Sequence, residues 1–266
     1  MSFKAQLDAC HQSDLRREAL CRDLLLHYEK LESAYHEKCT DYDNEVESRR
    51  RWQQEANACR EVANSARLSM ESNPFVLALI DGDGAVFTDA LVKAGAEGGS
   101  DAAHKLNMEI RNHVQSINEA AGSHWSIMVN IYANLEGLAK KLTACGIIKA
   151  PGELNAFIRA FSLNQSLFNF IDVGSGKERA DHKIKEMFRL FVHNQQCKHI
   201  IFGGCHDNGY LPNLDPYKRT EAASRISLLE TYRVQPGFGA LNFRIISFPD
   251  LFRSEPLPER PPMPSP

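Results

Sequence analysis

The sequence predicts an α/β domain with a mostly parallel sheet, preceded by a long coiled-coil helix. None of the 16 Gly and none of the 12 Pro residues occurs before Pro74, so the first 73 residues contain no helix breaker. Beyond Pro74, short apolar runs alternate with longer helical stretches, which is typical of parallel α/β folds. We therefore divide the chain into a coiled coil (1–72), an α/β domain (74–252) and a Pro-rich linker or tail (253–266).

The composition is that of a globular protein. The chain has 266 residues, a net charge of −3 and 43% hydrophobic residues, which excludes a wholly disordered protein. No apolar run approaches the length of a membrane span, and the N-terminus does not resemble a signal peptide. The seven Cys are scattered without tight pairing, as in a reducing compartment. We expect an intracellular protein, cytoplasmic or nuclear, with no membrane contact.

A heptad repeat extends from Phe3 to Met70. Fifteen of its 20 a and d positions are apolar or aromatic, which predicts a coiled coil. One helix cannot bury this seam alone, so we expect a homodimer through residues 1–72, most simply a parallel one. An antiparallel pair, a trimer, a different partner and a helix folded back on the globular domain are the alternatives. Five charged positions interrupt the seam: Asp14, Arg17, Lys38, Glu45 and Arg49.

Short apolar runs predict the strands. The first, 76–81, is continuously apolar and ends in an acid and a Gly-rich turn, which indicates a buried parallel strand. Similar runs predict strands at 127–132, 167–173 and 199–202, and one further strand within 226–229 and 243–248.

The stretches between these runs predict helices that pack on the sheet. In the last of them, Ile184, Met187, Phe188 and Phe191 lie on one face at helical spacing. The predicted helices cover about 101–121, 135–144, 153–163 and 180–193.

Acidic residues follow the predicted strands. Asp81 ends the first strand, Asp172 ends the third, and Asp207 lies just beyond the fourth. Asp181 opens the helix after the third strand. Parallel α/β sheets bind ligands at the carboxyl ends of their strands, so we expect acids from several strands to share one crevice. Such oxygen ligands suit Mg²⁺ or Mn²⁺, which can activate water and offset the charge of a scissile phosphate.

Each acid also has a purely structural interpretation. An Asp at a strand end is often a turn former or a helix N-cap. Asp83 lies between two glycines, and Asp207 begins an Asp-Asn-Gly sequence that resembles ordinary turn chemistry. The joint arrangement is more informative than any single acid.

Three segments resemble motifs of the NYN branch of the PIN-like nuclease superfamily. Residues 79–83 (Leu-Ile-Asp-Gly-Asp) are similar to the first-strand motif of that family. Residues 178–184 resemble its Lys-Gly-Ala/Val-Asp-x-x-Leu helix start, and 199–212 resemble its fourth strand, which ends in Ser-Gly-Asp-x-Asp-Phe-x-Pro. The resemblance covers roughly 75–250. It implies a three-layer α/β/α PIN-like (NYN) domain that cuts RNA with Mg²⁺ or Mn²⁺.

This resemblance assigns roles to the acids and leaves two hypotheses open. The family has paired acids separated by one residue, whereas Asp207 is followed by Asn208 and Gly209. The domain is therefore either a metal-dependent endoribonuclease or a catalytically degenerate scaffold that binds RNA or protein. In the first case Asp81, Asp181 and Asp207 are the catalytic residues, and these three together with Asp83 are the metal ligands.

Basic residues near Asp181 and a His beside Asp207 are candidates for contacting phosphate. The alternatives are a solvated helix face and an ordinary loop His. Residues 74–250 contain 18 Lys or Arg and 18 Asp or Glu, so the domain has no basic excess for strong RNA binding by itself. A dimer would raise a weak affinity through avidity. The nucleic-acid candidates are Lys177, Arg179, Lys183, Lys185 and His206.

Three other chemistries are excluded by spacing. Residues 174–177 (Gly-Ser-Gly-Lys) lack the GxxxxGK[ST] spacing of an NTPase phosphate loop. The GxSxG signature of Ser-His-Asp hydrolases is absent. Cys205 and His206 have no further Cys or His at zinc-site spacing.

The combination of a coiled coil and this domain resembles an uncharacterised fungal family whose members typically continue into CCCH-type zinc fingers. No Cys follows Cys205, so the sequence contains no such finger. We expect it to be the N-terminal part of a longer protein, or a form without the fingers. Six of the last eleven residues are Pro, which indicates an extended linker, with an SH3- or WW-type ligand as the alternative.

Overall fold

A computed structural model provides the structure of the 266-residue chain. It forms two compact units, Met1–Ser69 and Met70–Pro266, and each is described by itself. Of the predicted tail, only residues 253–258 fall within the described part of the chain. The structure describes residues 2–118, 124–176, 178–232 and 234–258.

The first unit is a single helix. Helix α1 runs from Phe3–Glu71 without interruption, as expected from a sequence without helix breakers. Two pairs of the charged residues that interrupt the heptad seam bind each other within the helix. Asp14 pairs with Arg17, and Glu45 pairs with Arg49 at 2.8 Å. The charges on the seam are therefore partly balanced inside one chain.

The second unit is built on one six-stranded sheet. Its strand order is β3-β2-β1-β4-β5-β6, and neighbouring strands run parallel throughout. The strands are β1 (Phe75–Asp81), β2 (Ser126–Ala133), β3 (Phe168–Asp172), β4 (Cys197–Gly203), β5 (Ile226–Glu230) and β6 (Arg244–Ser247).

Helices connect successive strands. Within the described ranges, no helix is both long enough and apolar enough to cross a membrane. Short 3₁₀ turns cover Asn208–Tyr210, Asp215–Tyr217 and Glu221–Arg225. The α-helices are α2 (Asp89–Lys93), α3 (Gly95–Ile117), α4 (Leu135–Ala144), α5 (Pro151–Asn164), α6 (Arg179–Val192), α7 (Leu211–Leu214) and α8 (Pro236–Gly239).

The structure confirms the α/β class and corrects two details. The runs 226–229 and 243–248 each form a strand, β5 and β6, where one further strand was expected. Helix α3 begins at Gly95 instead of near residue 101, because glycines in its first turns serve helix packing. A Cβ on Gly99 would lie 2.1 Å from the carbonyl oxygen of Phe157 in α5, so only glycine permits this contact.

Alternate side chains of β1 enter two different cores. Val76, Ala78 and Ile80 pack on one face of the sheet, in the core that includes side chains of α3 and α5. Leu77 and Leu79 pack on the other face, in the core that includes side chains of α6. Because helices cover both faces, β1 is apolar on both sides, which explains its unbroken apolar run.

A small polar cluster is enclosed in the first of these cores. Oγ of Ser227 in β5 lies 2.9 Å from Nε2 of His199 in β4 and 2.9 Å from Nε2 of His113 in α3. Burial, with the neighbouring charges of His113, Arg244 and Arg225, lowers the pKa of His199 to about 3. Both imidazoles therefore find a hydrogen-bond partner while His199 stays neutral.

The chain reverses its direction of travel across the sheet between β3 and β4. From β1 it moves outward through β2 to β3, then returns to place β4 on the other side of β1. Ligands of open α/β folds bind at such a switch point, outside the carboxyl ends of the strands. The crevice beyond Asp81 of β1 and Gly203 of β4 is therefore the expected site.

Candidate acidic site at the carboxyl ends of β1 and β4

Three elements bring the predicted acids to this crevice. Asp81 is the last residue of β1 and is buried. Asp181 lies in the first turn of α6 and is half-buried, because the apolar face of α6 packs on β1 and β4. Asp207 follows β4 and is exposed. The acids thus range from the base of the crevice to its rim.

The hydroxyl of Tyr210 joins two of these acids. Its oxygen lies 3.0 Å from Oδ2 of Asp81 and 2.9 Å from Oδ1 of Asp181. Tyr210 has no exposed surface, and its ring stands edge-on to Phe202 of β4. Burial and the charges of the two acids raise the pKa of Tyr210, so the hydroxyl keeps its proton. One proton is therefore shared by two carboxylates.

Asp83 is held at the crevice by backbone hydrogen bonds. Its own N–H donates to Oδ1 of Asp81 at 3.1 Å, and its Oδ1 accepts from the N–H of Asn134 at 3.0 Å. Asp83 is exposed, but desolvation of its carboxyl and the charges of Asp81 and Asp181 raise its pKa, against the opposing effects of Asn134 and His206. Asp83 is therefore close enough to sense the neighbouring carboxylates.

His206 lies on the other side of Asp81. Its Nε2 is 3.3 Å from Oδ2 of Asp81. The ring packs on Gly84, where a Cβ would lie 2.1 Å from Nε2 and would displace the ring. Burial lowers the pKa of His206, but the hydrogen bond and charge of Asp81, with the charges of Asp207 and Asp181, outweigh it and raise the pKa overall. The imidazolium form is therefore more stable at this position than in a free histidine.

The side chain of Asp207 caps the 3₁₀ turn that follows it. Its Oδ1 accepts the N–H of Gly209 at 2.7 Å, which begins the 3₁₀ turn Asn208–Tyr210. A Cβ on Gly209 would lie 3.2 Å from that oxygen and 3.4 Å from Oδ2 of Asp181. A side chain at position 209 would therefore lie close to both Asp207 and Asp181. In the motif that 199–212 resemble, this position corresponds to the second paired acid.

Among the predicted lysines and arginines that the structure describes, Lys185 is the one that pairs with an acid of the site. Its Nζ lies 3.8 Å from Oδ2 of Asp181 and 5.3 Å from the centre of the Tyr210 ring. Lys183 is exposed on α6, and the guanidinium of Arg179 packs on the turn before that helix, near Gly176. Lys177 lies outside the described residues.

Asp172 has a different role from the other strand-end acids. It ends β3, which β2 separates from β1. Its Oδ1 accepts from the N–H groups of Leu135 and Gly174, at 3.3 and 3.0 Å. The turn-forming interpretation therefore applies to Asp172, whose described hydrogen bonds are to backbone N–H groups.

Comparison with known families assigns this part of the chain. The family model described as "Domain of unknown function (DUF7923)" matches residues 70–252. The chain belongs to the DUF7923 family. The match includes all six strands, α6 and the turn that follows β4. No curated protein and no solved structure matches the chain.

The donors of this DUF7923 domain fit a hard divalent ion in type. Among the described side chains, no group of three or more His, Cys, Asp or Glu is gathered closely enough to hold a metal. Mg²⁺, however, commonly takes one or two carboxylates and completes its shell with water and substrate phosphate. Asp81 and Asp181, which share one hydroxyl proton, supply such a pair, with Asp83 and Asp207 beside them.

Tyr210 is the member of the DUF7923 site that the sequence predictions missed. It occupies the position that corresponds to Phe in the fourth-strand motif of the similar nuclease family. A phenol in place of a phenyl ring was the available signal, because a buried hydroxyl needs a hydrogen-bond partner. The partners themselves, Asp81 and Asp181, are distant in sequence and become visible only in the fold.

Proposed function

We propose that the DUF7923 domain is an NYN/PIN-like, metal-dependent ribonuclease that hydrolyses RNA phosphodiesters with Mg²⁺ or Mn²⁺. The supporting observation is the approach of Asp81 and Asp181, from β1 and α6, to one hydroxyl at the switch point of a parallel sheet. Asp83 and Asp207 flank this pair. The scattered free cysteines favour an intracellular location for the protein, cytoplasmic or nuclear.

In the proposed site, the acids bind the metal ion and the cationic side chain of His206 supplies a proton. Asp81 and Asp181 would hold the ion, which supplies Lewis acidity toward a phosphate oxygen and makes bound water more acidic. The hydroxyl of Tyr210 orients both carboxylates from below and, being fully buried, excludes water behind them. His206, whose raised pKa favours the imidazolium, holds a proton at Nε2 beside Asp81 and can donate it to a leaving oxygen.

RNA contact in this proposal depends on a few residues rather than on a basic face. Lys185 borders the acids and would meet a bound phosphate. The neutral charge balance of 74–250 implies a modest affinity for each domain. Two domains in one assembly would raise the affinity through avidity.

We further propose that α1 supplies this assembly as a homodimeric coiled coil through residues 1–72. Large apolar side chains on the heptad seam are exposed in the single chain, among them Leu7, Leu24, Leu31 and Trp52. Burial of such a seam against a second copy is the usual way to stabilise a helix of this length.

The ribonuclease proposal is tested by Mn²⁺-dependent cleavage of single-stranded RNA, with a chelator as the blank. We expect Asp81→Asn to lower the rate by about 100-fold or more, as loss of one preorganised electrostatic group does elsewhere. Asp172→Asn is the matched control, since Asp172 also ends a strand but accepts hydrogen bonds from the backbone N–H groups of Leu135 and Gly174. Equal rates for wild type and Asp81→Asn, or no cleavage by either, would contradict the ribonuclease proposal.

One observation favours a second candidate, a non-catalytic scaffold that binds RNA or another protein. His206 and Lys185 lie where they offset the charge of the acids without any ion. RNA binding that persists in chelator, with no turnover in Mn²⁺, would support the scaffold. Failure to bind RNA would leave protein interaction as its role.

A further inference from the structure

A cavity of about 340 Å³ opens beside the acidic site. Lys185 and Gly209 belong to both, so the cavity and the crevice adjoin. The remaining wall is formed by Arg189, Asn213, Tyr217 and two prolines. The lining therefore combines cations, an amide, an aromatic ring and apolar rings in one small space.

The cations lie on one side of the cavity. Lys185 and Arg189 are four residues apart on α6, so they occupy the same side of the helix. Lys185 is half-buried, whereas Arg189 is exposed and pairs with Glu186 at 2.7 Å. Two adjacent cations at the mouth of a cavity are suited to one phosphate group.

Tyr217 adds an aromatic surface to the cavity wall. The ring of Tyr217 lies 5.5 Å from Phe188 of α6 and 5.8 Å from His193, measured between ring centres. Both contacts hold the ring in position. Nucleobases bind such aromatic side chains in proteins that accept single-stranded RNA.

Asn213 contributes a buried amide donor that has no hydrogen-bond partner among the described residues. The residue is 8% exposed, and its Nδ2 is the buried side-chain polar atom that has no partner among the described residues. Buried amides are normally hydrogen-bonded, so an orphaned donor points to a missing water or ligand. Asn213 is one of the residues that line the cavity, so this donor belongs to the cavity wall. Side-chain amides pair readily with base edges.

We propose that this cavity binds one nucleotide of the RNA substrate. Its phosphate lies against Lys185 and Arg189, and its base lies between Tyr217 and the amide of Asn213. The volume is near the lower end of the roughly 300–1,000 Å³ of small-ligand pockets, which suits one nucleotide. Because Gly209 borders both sites, the adjoining phosphodiester would lie over the acids. The choice of RNA as substrate rests on the proposed function.

Binding of 5′-UMP and 5′-AMP to the full chain in chelator tests this site apart from cleavage, with inorganic phosphate as the comparison. We expect both nucleotides to bind more tightly than phosphate. Arg189→Gln should weaken them about 10-fold, as loss of a charge-assisted hydrogen bond does. Lys141→Gln removes one positive charge from an exposed position of α4, on the other face of the sheet and outside the cavity, and should change little. Nucleotides no tighter than phosphate, or equal losses in the two variants, would overturn the proposal.

A second variant separates binding from folding. Asn213→Leu removes an amide donor that has no partner, so thermal stability should be kept while nucleotide affinity falls. In the cleavage assay, Arg189→Gln should raise KM and spare kcat. If both variants cleave RNA with an unchanged KM, the nucleotide site is contradicted and the ribonuclease proposal still holds. If both variants lose nucleotide binding and the wild type does not cleave RNA, the nucleotide site is supported and the ribonuclease proposal is contradicted.

Discussion

The hydroxyl oxygen of Tyr210 lies 2.9 Å from Oδ1 of Asp181. The same oxygen lies 3.0 Å from Asp81, yet a phenol has a single proton and satisfies one carboxylate at a time. Two acids in the low-dielectric base of the crevice therefore compete for one donor. The proposed cation would relieve this competition by binding both acids, so we expect it to stabilise the domain.

Tyr210→Phe removes the shared proton and keeps the ring. We expect it to lower the free energy of unfolding by about 2 kcal/mol in chelator, because a hydrogen bond to charged groups is lost. Mn²⁺ should reduce this deficit, since an ion can take the place of the proton between Asp81 and Asp181. Urea unfolding with and without Mn²⁺ measures both effects. Tyr217→Phe is the control, and a deficit that Mn²⁺ leaves unchanged would argue against an ion between the acids.

Gly209→Asp would add a carboxylate between Asp207 and Asp181. Its Cβ would be 3.2 Å from Oδ1 of Asp207, a tight contact that a small shift relieves. We expect this carboxylate to tighten Mn²⁺ binding about tenfold. At saturating Mn²⁺ that gain adds about 1.4 kcal/mol to the free energy of unfolding and raises Tm by about 3 °C or more. Thermal unfolding should show this extra rise relative to Gly209→Asn, which has the same size without the charge. An equal Mn²⁺ response in the two variants would contradict the prediction.

His199→Gln should make the domain less sensitive to acid. Folded His199 stays neutral down to its pKa of about 3, whereas the unfolded chain binds a proton below pH 6.5. Its stability contribution is therefore complete above pH 6.5 and is lost progressively as the pH falls toward 3. At pH 5 the wild-type loss from this group is about 2 kcal/mol.

Urea unfolding at pH 8 and pH 5, followed by the fluorescence of Trp125 in a Trp52→Phe background, measures this difference. Wild type should lose more stability than His199→Gln between the two pH values. His104→Gln, an exposed His of α3, should behave as wild type. The same pH dependence in wild type and His199→Gln would show that the buried cluster is not responsible.

The oligomeric state depends on the heptad seam of α1. Light scattering should give about twice the chain mass of 29.9 kDa for wild type. The double change Leu24→Asp/Leu31→Asp places charges on the seam and should yield a monomer. Leu26→Asp, which is exposed but off the seam, should remain a dimer. A monomeric wild type, or the same mass for both variants, would refute the coiled-coil dimer.

Local pattern was sufficient to predict most elements. The extent of α1 follows from the absence of Gly and Pro, and β1 follows from an unbroken apolar run, because both signals reside in neighbouring residues. The start of α3 was missed because Gly99 serves a contact with α5, and a distant contact leaves no periodic trace in the sequence. The second strand of the final pair was missed because β6 is short and largely exposed.

The sequence by itself determined the class of the domain, the long N-terminal helix and the acids at the strand ends. The tertiary structure decided which of these acids meet. Asp81 and Tyr210 are separated by 129 residues, and their contact depends on β4 lying beside β1. The tertiary structure also shows that Asp172 accepts hydrogen bonds in a turn and that a cavity lies beside Asn213. These outcomes depend on the order of strands and the approach of α6, which are properties of long-range packing.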